Sequence, residues 1–101
     1  MTKAYFIFTE VVKDIDALNA YLGKAAPTAA AHGGSALVLH DDPEVIEGSW
    51  HGSRVVVIEF PSMEAAKGWY NSPEYQAVIG ERLAAADCNA VIVPGFDPPA
   101  G

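Results

Sequence analysis

The stretch RVVVIEFP, Arg54 to Pro61, decides the fold. Four consecutive β-branched residues, then Glu59 and Phe60, with Pro61 to stop them, make the strongest strand signal in the chain. Ser62 follows as the N-cap of a helix that begins at Met63. A run this apolar leaves little room for a solvated sheet face, because half-exposed strands alternate apolar with polar residues.

Working outward, KAYFIFTEVV (Lys3 to Val12) is rich in aromatic and β-branched residues and reads as β1. Asp14 caps a helix starting at Ile15, whose apolar residues Leu18, Tyr21 or Leu22, Ala25 and Ala29 recur at helical spacing. Pro27 is expected to kink that helix or shift its last turn, and His32-Gly33-Gly34 to end it. SALVLH (Ser35 to His40) reads as β2, interrupted by the turn Asp41 to Pro43 and resumed at Glu44 to Glu47, as in a bent or bulged edge strand. After the helix at Met63, Asn71-Ser72-Pro73 breaks the pattern. Ser72 as N-cap with Pro73 at the first helical position restarts it, and the helix is expected to run to about Ala86. NAVIVP (Asn89 to Pro94) is the last strand.

The order β-α-β-β-α-β is an α+β, ferredoxin-like plan with a four-stranded antiparallel sheet, β1 and β3 at its centre and both helices on one face. FIF and VVVI require a second apolar layer on the other face. A homodimer packed sheet to sheet, a dimeric α/β barrel, supplies it. One domain spanning residues 1–96 is expected, with an irregular tail at 97–101 that lies against a neighbouring subunit.

Composition narrows the function. Among 101 residues, 13 acidic and 6 basic side chains give a net charge of −7, which repels nucleic-acid phosphates. The single cysteine, Cys88, makes no internal disulfide, and no secretory leader or membrane-spanning run is evident, so a cytoplasmic protein is expected. Three scattered His residues without ligand spacing imply no metal and indicate no haem, and no phosphate-cradling glycine motif implies a nucleotide, so no cofactor is expected.

Glu59 is the first chemical candidate, a carboxylate on an apolar strand. Taken as parallel neighbours, β1 and β3 would set Glu10 beside Glu59, and mutual repulsion with partial burial would tune one of them for proton transfer; the alternative is a salt bridge. Arg82 lies on the inward stripe Tyr75, Val78, Ile79, Arg82, where its guanidinium must meet an anion: Glu59, Glu10 or Asp87 as a structural pair, or the carboxylate or enolate of a ligand. Trp69, Tyr70 and Tyr75 cluster around the helix break, as core or as the wall of a cleft for a small aromatic or unsaturated acid. His32 either caps the first helix or serves as a second acid or base. Cys88 reads as a small buried residue.

EGSWHGSR (Glu47 to Arg54) concentrates four chemically capable side chains, yet Gly48 and Gly52 mark it as the β2–β3 connection. Trp50 and Arg54 are expected at a subunit contact, Glu47 and Arg54 as a cross-strand pair, and His51 in solvent. EG.W followed by R.VVIEFPS.EAA..WY.SPEYQ resembles the signature of domain-of-unknown-function family 1330, with looser similarity through YFI, AAPTAAAHGG and NAVIVPG. The resemblance implies a ferredoxin-like dimer of unassigned role. The leading expectation is a small-acid-binding dimer with cofactor-free proton transfer, isomerase or monooxygenase-type chemistry, in which Glu59 is the base, Arg82 the anion clamp and Glu10 a ligand contact. The alternative is a non-catalytic ligand-binding or stress-associated dimer.

Overall fold

The computed structural model describes residues 2–97 and 99. Its elements follow as β1 (Ala4–Val12), α1 (Ile15–Ala30), β2 (Ser35–Asp41), β3 (Arg54–Phe60), α2 (Met63–Tyr70), α3 (Pro73–Gln76), α4 (Ile79–Ala85) and β4 (Ala86–Pro94). The strands form one sheet in the order β2-β3-β1-β4, antiparallel at every pairing. This is the ferredoxin-like α+β fold, with β1 and β3 central as expected.

Local chemistry sets the helix ends. Asp14 Oδ1 accepts from Ala17 N–H at 3.0 Å, and Ser62 Oγ accepts from Ala65 N–H at 3.0 Å. Ser72 closes one helix and opens the next: its Oγ donates to the Trp69 carbonyl at 2.7 Å and accepts from Tyr75 N–H at 3.2 Å. Each such cap contributes about 1 kcal/mol. α1 runs through Pro27 to Ala30. The carbonyl that loses its partner there belongs to Gly23, which is exposed. Gly33 then turns the chain out at φ +80, a conformation that favours glycine.

The expected single helix up to Ala86 has a further break at Ala77 and Val78, where α4 starts without a side-chain cap. Periodicity passes over that break because the apolar stripe continues on both sides of it. β4 starts at Ala86, because Val12 and Val11 extend the ladder to Ala86 and Asp87. β2 is bulged between Ala36 and Val38, but no strand resumes at Glu44–Glu47; Asp42 turns at φ +65 and an irregular loop runs to Ser53. Of the tail expected at 97–101, residues 97 and 99 belong to no regular element, and the others lie outside the described residues.

β1 and β3 run antiparallel, not parallel. Glu10 faces Arg54 and Tyr5 faces Glu59, which puts the two carboxylates near opposite ends of the ladder. The connectivity requires this: the helical crossover keeps β2 parallel to β1, and the chain reverses between β2 and β3.

Ala4, Phe6, Phe8 and Glu10 of β1 and Val56 and Phe60 of β3 are buried beneath the helices. Trp69, Tyr75, Phe60 and Leu18 are fully buried, and each such side chain stabilises the fold by about 1.5–3 kcal/mol. Phe6 stacks on Tyr70 at 5.6 Å and meets Trp69 edge-on at 5.2 Å. The opposite sheet face, with Ile7, Val55, Val57, Val91 and Val93, carries no helix, and Val91 is 53% exposed.

Candidate functional site

A cavity of about 180 Å³ lies between α1 and the helix-covered face of the sheet. Phe8, Val56, Ile58 and Trp69 form its apolar floor and end, and Ala26 and Leu39 lie on its α1 and β2 sides. Its size depends on small residues, Ala25, Ala29, Gly34 and Ala36, where larger side chains would fill the space. Glu10, Tyr21 and Arg82 are its polar side chains, and the indole N–H of Trp69 is taken up by Thr28 Oγ1 at 3.0 Å.

Arg82 projects inward from α4 and is 3% exposed. Its Nε donates to Tyr75 Oη at 3.2 Å, and its guanidinium carbon lies 5.0 Å from the centroid of the Phe8 ring. Tyr75 and Tyr21 join through their hydroxyls at 2.7 Å. Among the described residues Arg82 forms no salt bridge. Burial works against its charge, but Tyr75, Cys88 and Tyr21 more than offset this, and its pKa is raised. A guanidinium keeps its proton in proteins, so the cation persists at the cavity wall.

Glu10 is also 3% exposed, and Cys88 Sγ approaches its Oε2 at 3.7 Å. Burial pushes its carboxyl above the ordinary range, with Arg82, Cys88 and Arg54 pulling the other way. Burial likewise raises the Cys88 thiol, and burial together with Tyr75 raises Tyr21, which stays protonated. Gly52, at φ +81, packs against the backbone of Glu10 so closely that a Cβ would sit 2.3 Å from its carbonyl oxygen. Ser53 N–H donates to that same carbonyl at 2.9 Å. The EGSWHGSR loop thus clamps the strand end that carries Glu10.

The candidates separate. Arg82, Glu10 and Trp69 line the cavity, and Tyr75 lies behind it, holding Arg82. Glu59 is on the opposite sheet face, where it accepts from Lys3 Nζ at 3.3 Å and Tyr5 Oη at 3.1 Å. It does not meet Arg82 or Glu10, because strand alternation and antiparallel register put it on another face and at another end. Tyr70 packs on Phe6, and His32 lies just beyond α1 beside Gly68; neither lines the cavity.

Arg54 is buried at 3% exposure, which removes its side chain from any subunit surface. Its partner is Asp41 rather than Glu47, at 2.7 Å from Nε and 3.1 Å from Nη2, with Asn19 Oδ1 at 3.2 Å from Nη2. The register sets Asp41 directly opposite Arg54, and Glu47 lies out in the loop. Trp50 is half exposed. His51 is not free in solvent: Nδ1 is bonded to Thr9 Oγ1 at 2.8 Å, and Nε2 lies 3.7 Å from Asp87. Sequence reasoning passed over Tyr21, taking it as an apolar stripe residue. A tyrosine on a buried stripe still needs a partner for its hydroxyl, and that need was the available signal.

The model of the family described as Domain of unknown function (DUF1330) matches residues 3–96. The chain belongs to this family. No curated protein matches the chain. Among solved structures, this DUF1330 chain is similar to a protein of unknown function from Rhodopseudomonas palustris, at 18% identity and TM-score 0.80, over 96% of this chain and 85% of that one. It is also similar to SnoaB, a cofactor-independent oxygenase from Streptomyces nogalater, at 12% identity and TM-score 0.73, over 97% of each chain. A dimeric ferredoxin-like protein of unknown function from Jannaschia sp. CCS1 aligns at 12% identity and TM-score 0.73, over 94% of the DUF1330 chain and 99% of its own. At these identities the shared property is the fold. Among the described residues no helix is long and apolar enough to cross a membrane, and no group of three or more His, Cys, Asp or Glu is placed to hold a metal ion.

Proposed function

We propose that the protein binds a small aromatic or unsaturated organic acid in the cavity between α1 and the sheet, with the acid's carboxylate or enolate on Arg82. The observation that carries this reading is a buried guanidinium at the wall of an apolar cavity, without a carboxylate partner among the described residues. Burying a charge unpaired is costly, and a bound anion removes that cost. Cavities of about 150 Å³ accommodate a single benzene ring, so one of about 180 Å³ suits a one-ring or short unsaturated acid. The chemistry in view is cofactor-free and acts on an acid already activated by its own unsaturation. Its working form is a homodimer joined through the helix-free sheet face, supported by the exposed Val91 and Val93 there. With one cysteine and no internal disulfide, the cytoplasm is the compartment we assign.

Calorimetric titration with benzoate, cinnamate and sorbate, against benzamide as the neutral control, tests the reading. The acids should bind, benzamide should not, and Arg82→Met should abolish acid binding. Failure of all three acids to bind, or full affinity in Arg82→Met, would remove the assignment.

A second reading has its own observation. The Tyr21–Tyr75–Arg82 hydrogen bonds and the Arg82–Phe8 contact tie α1, α3 and α4 to the sheet, as a structural staple in a non-catalytic dimer would. A pure staple predicts that Arg82→Met loses stability and that no acid binds to either protein.

A further inference from the structure

Two buried groups of opposite charge line one cavity here and do not close on each other. Glu10 on β1 and Arg82 on α4 are each 3% exposed, yet no salt bridge joins them. Buried charges ordinarily pair, because each left alone keeps its desolvation cost. Arg82 is held back by Tyr75 at its Nε and by the Phe8 ring beneath it, and Glu10 is fixed by its strand and by Gly52 and Ser53 on its backbone. The Cys88 thiol lies against both, 3.7 Å from Glu10 Oε2, and the Glu10 and Arg82 side chains both line the open cavity. Tyr21 lines the same cavity with its hydroxyl joined to that of Tyr75 at 2.7 Å, and when Tyr75 is the donor the Tyr21 proton is left for a ligand.

From this arrangement we infer that the site catalyses keto–enol interconversion of a small aromatic 2-oxo acid, with Glu10 as the group that moves the proton. The inference rests on the acid-binding reading above. The acid's carboxylate sits on Arg82 as a bidentate partner, and its ring lies against Phe8, Val56 and Trp69. Glu10 removes a proton from the carbon next to the carbonyl. The C–H electron pair becomes the new C=C bond, and the carbonyl π pair moves to oxygen. Tyr21, held neutral, donates a hydrogen bond to that developing oxyanion and keeps its own proton. Glu10 then delivers the proton to the oxygen. One proton has moved from carbon to oxygen, the carboxylate is restored, and no oxidant or reductant is consumed. This assigns Glu10 the role that its place on an apolar strand first suggested for Glu59, which lies on the other face and is occupied by Lys3 and Tyr5.

Phenylpyruvate is the probe. Exchange of its methylene protons in deuterated buffer is followed by proton NMR, and enol decay by ultraviolet absorbance, with benzoate affinity measured in parallel. The intact chain should accelerate exchange at least tenfold over buffer. Glu10→Gln should fall to the buffer rate and still bind benzoate. Tyr21→Phe should lower kcat several-fold with little change in KM. If Glu10→Gln does not fold, Glu10→Asp, which withdraws the carboxyl by one methylene, should lower kcat at unchanged benzoate affinity. Benzoate binding without accelerated exchange, or full exchange in Glu10→Gln or Glu10→Asp, overturns the inference and leaves the binding reading standing. Absence of benzoate binding overturns both.

Discussion

The hydroxyls of Tyr21 and Tyr75 meet at 2.7 Å inside the core, joining α1 to α3, and Arg82 donates to the same Tyr75 oxygen at 3.2 Å. The two tyrosines are therefore not equivalent. Tyr21→Phe removes one neutral hydrogen bond and should cost about 1 kcal/mol. Tyr75→Phe leaves both the Tyr21 hydroxyl and Arg82 Nε buried without a partner, at about 1–3 kcal/mol for each group. Urea denaturation of the two variants checks the order; equal losses would contradict it.

Glu10 sets a pH dependence of definite sign. Its carboxyl is raised above the ordinary carboxylate value by burial, against Arg82, Cys88 and Arg54, with Asp41 adding to the rise. Below about pH 4.5 both folded and unfolded chains hold this proton, and its contribution to stability is fully present. As pH rises the unfolded chain releases the proton first, so this stability is lost until pH passes the folded value. Glu10→Gln, which has no proton to lose, should gain stability relative to the parent chain as pH rises above about 4.5. Thermal melts of both proteins between about pH 4 and pH 8 measure the difference.

Asp41 has the opposite sign. Its hydrogen bonds to Arg54 hold it below the ordinary carboxylate range, so its contribution is present at neutral pH and is lost as pH falls through the lowered value. Asp41→Asn should lower stability at pH 7 by on the order of 1 kcal/mol, because solvent screens the Asp41 side of the pair. That is less than the about 3–5 kcal/mol of a fully buried pair, because the Asp41 side chain is 53% exposed. Equilibrium unfolding at pH 7 and at pH 3 should show the gap narrowing in acid.

Ala26 tests the cavity without touching its charges. It is exposed on α1 and contributes to the lining. Leucine is nearly as good a helix former as alanine, so Ala26→Leu should change stability by no more than about 0.5 kcal/mol. Benzoate affinity should drop at least tenfold by calorimetry. Unchanged affinity would place the ligand elsewhere.

Val91 tests the dimer. It is 53% exposed on the helix-free face of β4. Val91→Glu puts a charge into the proposed sheet-to-sheet contact and should shift sedimentation velocity toward a monomer. A parent chain that sediments as a monomer would refute the assembly outright.

The α+β class and the order of its elements were legible in local patterns of the chain. Asp14, Ser62 and Ser72 capped the helices they were expected to cap, and the apolar runs at Lys3–Val12 and Arg54–Pro61 became the central strands. These signals are local: a cap reaches three residues, and strand alternation reaches two. The inward direction of Arg82 was legible for the same reason, since helical periodicity ties it to Tyr75. Which distant groups meet became legible only in the packed chain. Antiparallel register exchanged Glu59 for Glu10 at the cavity and Glu47 for Asp41 at Arg54, and the packing of α1 against α3 brought Tyr21 to Tyr75 across 54 positions. Strand register shifts every partner together, and one residue of slip exchanges the two faces of a sheet. Local pattern therefore placed the strands, and only their pairing placed the chemistry.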